Sequence, residues 1–178
     1  MKLALPLIFI ATTAVAECPP PPDIAAAQSA LLAEARALPN GRDAGAISNK
    51  LWKLWATAPD DQSQALLDRG MAARASFNFL EATDAFNRLV AYCPDYAEGY
   101  NQRAFVNFLR EDYAAALVDL DLALERRPGH VAAMSGKALT LMGLGRQEEA
   151  QKVLREAVKL NPWIPEAGLL QEPVGEDL

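Results

Sequence analysis

Residues 97–130, "AEGYNQRAFVNFLREDYAAALVDLDLALERRPGH", are one unit of a pattern that returns along the back half of the chain every 34 residues. Gly70, Ala104 and Ala138 are one unit apart, as are Ala82, Ala116 and Ala150, and Pro94, Pro128 and Pro162. Phe86, Leu120 and Leu154 keep the step, and so do Leu89, Ala123 and Ala157. A period of this length marks an array in which each unit is one supersecondary element that buries its apolar face on its neighbours. Recurrent small residues allow two helices to approach closely. Each recurrent proline sits where a helix has finished, because proline has no amide hydrogen to continue one.

Capping residues set the helix starts. Asp61 with Gln64, Asn78 with Glu81, and Asp95 with Glu98 have capping-box spacing. They predict helix pairs over 62–75 and 79–92, 96–109 and 113–126, and 131–143 and 147–160. Gly145 suits the left-handed turn that closes a helix. Upstream, Pro19–Pro22 form an extended spacer, Asp23 caps a helix over 24–38, and Pro39-Asn40-Gly41 breaks it. A second helix over 43–58 ends at Pro59, with Ile47, Leu51, Leu54, Trp55 and Ala58 on one face and Trp52 on its flank. These two helices read as a degenerate terminal pair whose tryptophans bury against the first clear repeat. A ligand-stacking role for the tryptophans is the sharper alternative. Residues 164–170 are expected to form a short capping helix, and Pro173–Leu178 to fray.

These blocks resemble the tetratricopeptide repeat family. The second block carries Tyr100, Ala104, the Asp112-Tyr113 pair, Ala116, Ala123 and Pro128; the third carries Ala138, Leu144-Gly145, Ala150, Ala157 and "LNP" ending at Pro162. The first block is looser: Leu89 stands where the family has a small residue, which predicts wider packing there. "AEGYNQRA" and "LNPWIPEA" are similar to stretches of small exported repeat proteins of Gram-negative bacteria. The expected fold is all-α, a superhelix of three repeats over 61–164, with the N-terminal pair in 17–60 and a cap and tail over 165–178.

The family resemblance implies a protein-binding scaffold whose concave face is lined by the first helix of each pair. Inward positions map onto Gln64, Leu67, Met71 and Arg74, then Glu98, Asn101, Phe105 and Phe108, then Ala132, Ser135, Leu139 and Met142. Family members that grip a C-terminal carboxylate use Lys, Asn and Arg at several of these places, of which only Asn101 and Arg74 remain here. Met71, Phe105, Phe108, Leu139 and Met142 would instead form an apolar strip suited to a hydrophobic peptide or an amphipathic helix. The alternative is that the strip is inter-repeat core, or is covered by the chain's own ends. Beside it, Arg69, Arg103 and Lys137 recur where the family has leucine. Internal ion pairs with neighbours such as Asp68 or Glu98 are one reading of this ladder; an acidic stretch of a partner is the other.

Composition narrows the partners. Lys2, the apolar run 3–15 and Ala14-Val15-Ala16 have the pattern of a signal peptide cleaved after Ala16. An exported, periplasmic setting follows as an expectation. The formal net charge of −6, which becomes −7 once Lys2 is removed, disfavours nucleic acid and anionic membrane surfaces. The two cysteines, Cys18 and Cys93, are an even count in an exported chain and favour a disulfide. A lipidated Cys18 is a competing reading, disfavoured by Glu17 before it. Cys93 as a small apolar filler, with Cys18 free, is another.

Catalytic signals are weak. His130 is the only histidine and sits in a repeat linker. One histidine and two cysteines make no zinc constellation, and no DxDxDG-type calcium loop occurs. Ser135-Gly136-Lys137 lacks the spacing of a phosphate-binding loop, and Gly143-x-Gly145 follows no strand. The expectation is therefore a binding protein without enzymatic activity, cofactor or metal. Self-association, with the groove closed by a second copy, is the alternative.

Overall fold

The computed structural model describes residues 17–171; the signal-peptide reading and the C-terminal tail from residue 172 lie outside the described residues. Eight α-helices are present among them: α1 (Ala25–Ala37), α2 (Ala44–Trp55), α3 (Asp61–Ala75), α4 (Phe79–Tyr92), α5 (Ala97–Leu109), α6 (Tyr113–Arg126), α7 (Val131–Gly143) and α8 (Gln147–Leu160). Short 3-10 turns occupy Gly41–Asp43 and Pro165–Leu169. The latter replaces the expected capping helix. Helices α3 and α4, α5 and α6, and α7 and α8 form antiparallel pairs, and α4 on α5 and α6 on α7 join them into one array.

The periodic small residues are the seams. Ala82, Ala116, Ala150, Ala104 and Ala138 are all essentially inaccessible, and a Cβ on Gly70 would collide with the Phe86 ring. Replacing Ala116 or Ala150 with Leu is expected to overpack the seam by about 1–3 kcal/mol. Thermal melts that show both variants as stable as the parent would contradict this packing. The expected wide seam at Leu89 is resolved differently. A Cβ on Gly99 would lie 3.2 Å from Leu89 Cγ. Leu89 and Gly99 stand one period before Ala123 and Ala133, so a large–small pair replaces a small–small one.

Turns and caps also follow the period. The turns within the three pairs place Phe77 (φ 60°), Glu111 (φ 61°) and Gly145 (φ 73°) in the left-handed region, each one unit apart. Only Gly145 was a conformational signal, since the other two are not glycine. Asn78 caps α4 as expected, its side chain accepting from the Glu81 amide. Helix α3 starts earlier than its predicted capping box: Asp60 accepts from the Ser63 amide at 2.8 Å while the Asp60 amide donates to Ser63 Oγ at 3.0 Å. Gln64 instead accepts from the Ala58 amide at 2.9 Å. Asp95 does not cap α5; Tyr96 is the N-cap residue, without a side-chain cap.

The N-terminal pair departs most from expectation. It docks at the far end of the array, not on the first repeat. Ile24, Leu32, Ala35, Ile47, Leu51 and Trp55 share one core cluster with Val131, Ala138, Leu154 and Ile164. The chain reaches that position along the repeat ends. Cys18 is disulfide-bonded to Cys93, with a Cα–Cα separation of 5.2 Å, at the end of the first repeat. Gln28 packs on Gly129, where a Cβ would come within 2.6 Å of its amide nitrogen. At the third repeat, Trp163 Nε1 donates to the Ala35 carbonyl at 2.9 Å and Arg36 donates to the Leu160 carbonyl at 3.3 Å. Gly41 gives the Trp163 ring its room, since a Cβ there would lie 2.8 Å from Cε3. Residues 18–37 are thus a strap across all three repeat ends, and α2 returns from it.

Candidate functional site: a roofed groove

Helix α2 stops at Trp55 because Pro59 follows closely and disfavours helical geometry in the residue before it. Ending there frees the Trp55 carbonyl, which accepts from the Tyr96 hydroxyl at 2.7 Å. The Trp55 ring stacks on His130, centroids 4.1 Å apart and planes 22° from parallel, and its Nε1 donates to Gln28 Oε1 at 2.8 Å. His130 is wholly buried. It is the N-cap of α7, with Nδ1 accepting from the Ala133 amide at 3.3 Å, so Nε2 carries the proton toward Glu98 Oε2 at 2.7 Å. The linker position of His130 was expected; its burial under a tryptophan was not.

Glu98 is also buried, and its carboxylate accepts from Asn101 Nδ2 at 3.1 Å and from Gln102 Nε2. Gln102 in turn accepts from Arg74. A buried carboxylate is tolerated only when hydrogen-bonded throughout, and this one has three side-chain partners. Burial pushes the Tyr96 hydroxyl pKa well up. Burial also lowers the Arg74 guanidinium pKa, with the Glu98 charge opposing.

Between α2 and the inner helices α5 and α7 lies a cavity of about 440 Å³. Arg74, Asn101, Phe105, Phe108 and Leu139 line it, as the sequence mapping placed them. Met71 and Met142 do not. Met71 packs against the first-repeat core, and Met142 against the cluster shared by the N-terminal pair and the third repeat. Leu67, another mapped position, is fully buried core. The sequence mapping missed the roof: Ser48, Leu51, Trp52 and Trp55 from α2, with Ile164 and Glu166 closing the C-terminal end. Trp52 and Trp55 were visible as residues on an amphipathic helix, but their destination was not.

Phe105 is 44% exposed, under the Arg74 guanidinium at 4.5 Å from its centroid. Phe108 is half-buried, edge-on to Tyr113 at 5.5 Å. The basic ladder is internally paired. Arg69 meets Glu81 at 3.0 Å, Arg103 meets Asp119 at 2.6 Å and Lys137 meets Asp121 at 2.6 Å. The partners come from the second helices of the pairs and are not Asp68 or Glu98. Among the described residues no group of three or more His, Cys, Asp or Glu is placed to hold a metal ion. No described helix is long and apolar enough to cross a membrane.

Comparison with known proteins agrees with this architecture. The tetratricopeptide repeat family profile matches residues 108–171. A tetratricopeptide repeat-containing protein of Rhizobium etli is 32% identical over 81 residues, covering 46% of this chain and 40% of that protein. Human tetratricopeptide repeat protein 36 is 30% identical over 105 residues, 56% of this chain and 55% of that one. The chain thus spans about half, or less, of the length of these curated relatives. Among solved structures, the first tetratricopeptide repeat domain of Spaghetti bound to an HSP90 peptide superposes with a TM-score of 0.59 at 23% identity, covering 61% of this chain and 86% of that one. The yeast Sti1 TPR2B domain in complex with an Hsp70 peptide gives 0.58 at 19%, covering 62% and 90%. With the 34-residue period, the stacked helix pairs and these matches in agreement, the described chain has the tetratricopeptide-repeat fold, and its residues 108–171 match that family's profile.

Proposed function

We propose that this protein is a non-catalytic scaffold of the cell envelope that holds a short apolar segment of a partner protein at the mouth of its groove. The observation that supports this most is Phe105, a large aromatic left 44% exposed on the inner helix of the central repeat. Aromatic anchors in concave sites are where binding energy concentrates. That two structurally similar domains were solved with peptides bound adds support by analogy.

The roof changes the expected partner. With α2 residues facing the inner helices across the groove, an extended segment inserting one or two side chains suits it better than an amphipathic helix of several turns. The internally paired cations leave no basic strip for an acidic partner.

Phe105→Ser is the cleaner test, because Phe108 also supports Tyr113. Partner recovery after crosslinking in envelope extracts should fall at least tenfold, matching the ~2 kcal/mol of an anchor residue, with the melting temperature within about 2 °C of the parent's. Undiminished recovery by a folded Phe105→Ser protein would move the partner site elsewhere. Light scattering on the isolated chain addresses self-association.

A further inference from the structure

The inner cavity has the make-up of a small-molecule site. Its volume of about 440 Å³ falls within the roughly 300–1,000 Å³ typical of ligand pockets. Trp52, Phe105, Phe108, Leu139 and Ile164 supply apolar and aromatic walls. Polar side chains join them, and three are incompletely matched within the protein. The Ser135 and Thr140 hydroxyls, on cavity-lining residues of α7, are buried without a hydrogen-bond partner. Arg74 is the cation of the lining; its guanidinium donates to the neutral Gln102 and lies over the Phe105 ring. Among the described residues it has no carboxylate within ion-pair distance, unlike Arg69, Arg103 and Lys137. A guanidinium on an apolar wall forms its strongest contact with a planar carboxylate, through charge-assisted paired hydrogen bonds.

We propose that the cavity binds a free small organic acid, with an apolar or aromatic body between Trp52 and Leu139 and a single carboxylate on Arg74. Glu166 comes from beyond the third repeat and Arg74 from the first, so they mark opposite ends of the lining in array order. A second negative charge on the ligand would meet Glu166. The site therefore selects a monoacid over a diacid. Residues of α2 and of the 164–166 segment bound the cavity on one side and at one end, so a short ligand fits it best. This function goes beyond capture of a protein at the mouth and does not depend on it.

Calorimetric titration of the purified full chain with 4-phenylbutyrate, 4-phenylbutyramide and the end-to-end diacid 4-(4-carboxyphenyl)butyrate tests the idea. The monoacid should bind saturably, and at least tenfold more tightly than the amide or the diacid. Arg74→Gln should abolish the preference for acid over amide, while Arg74→Lys, which keeps the charge, should retain part of it. Circular dichroism checks the fold of both variants. If Arg74→Gln does not fold, added salt provides the second measurement: affinity for the acid should fall with ionic strength and affinity for the amide should not. Equal affinity for acid and amide, or no saturation at millimolar concentration, would overturn the proposal. So would binding confined to a tetrapeptide with a free C-terminal carboxylate, which would assign the cavity to a chain terminus. Loss of acid binding with partner capture intact would remove this inference alone, and loss of partner capture with acid binding intact would remove only the scaffold reading.

Discussion

Trp55→Ala is expected to destabilise the protein by about 3–5 kcal/mol, the usual cost of truncating a buried aromatic side chain. The residue is 6% exposed and fastens the roof in three ways: its ring stacks on His130, its Nε1 donates to Gln28 and its carbonyl accepts from Tyr96. Truncation removes the first two and opens a void above the Glu98–His130 pair. Water entering that void would reach a carboxylate whose hydrogen bonds are otherwise all internal. At about 2–4 °C per kcal/mol for a chain of this size, the melting temperature should drop by roughly 10 °C. Hydrogen exchange should quicken first in α1 and α2, because the three repeats keep their own seams. A melt within 2 °C of the parent's, or exchange that quickens uniformly, would mean that α2 is not fastened through Trp55.

Loss of the Cys18–Cys93 bond should cost a similar amount by a different route. The bond spans 75 residues, and closing a loop of that length lowers the entropy of the unfolded chain by an amount worth about 4 kcal/mol. The double variant Cys18→Ser/Cys93→Ser, or the reduced protein, should therefore melt about 8–16 °C lower at this chain length. Intact mass spectrometry without reduction should find one intramolecular bond. Two free thiols, or a diacylglycerol on Cys18, would exclude it. The comparison of the two variants is informative. The disulfide acts mostly on the unfolded chain, so its loss should leave local exchange in α2 nearly unchanged, whereas Trp55→Ala acts on the folded roof.

Much of the fold was legible because a repeat states its contacts many times over. Each seam is made between residues at fixed offsets, so the alanines at 82, 116 and 150 identify one another as well as the geometry they share. All six array helices were placed to within one residue of their ends. Even the deviation at Leu89 had its answer in the sequence, one helix on, at Gly99. The inward positions of α5 and α7 followed from the same register, which is why Asn101, Phe105, Phe108 and Leu139 were found.

The strap was not legible. Its contacts occur once, join residues as far apart as Ala35 and Trp163, and repeat at no offset. Amphipathicity showed that α2 would bury Leu51 and Trp55, but an apolar face states only that it must be covered and does not specify the covering surface. The adjacent first repeat was the nearest candidate. The disulfide at Cys93, the proline spacer and the notches at Gly129 and Gly41 instead carry the chain past it to α7 and α8. Only that placement sets α2 across the groove and covers the Glu98–His130 pair with the Trp55 ring. The sequence alone therefore determined the array, since its packing is local and reiterated. The shape of the binding site was decided by a single long-range docking event that only the tertiary structure records.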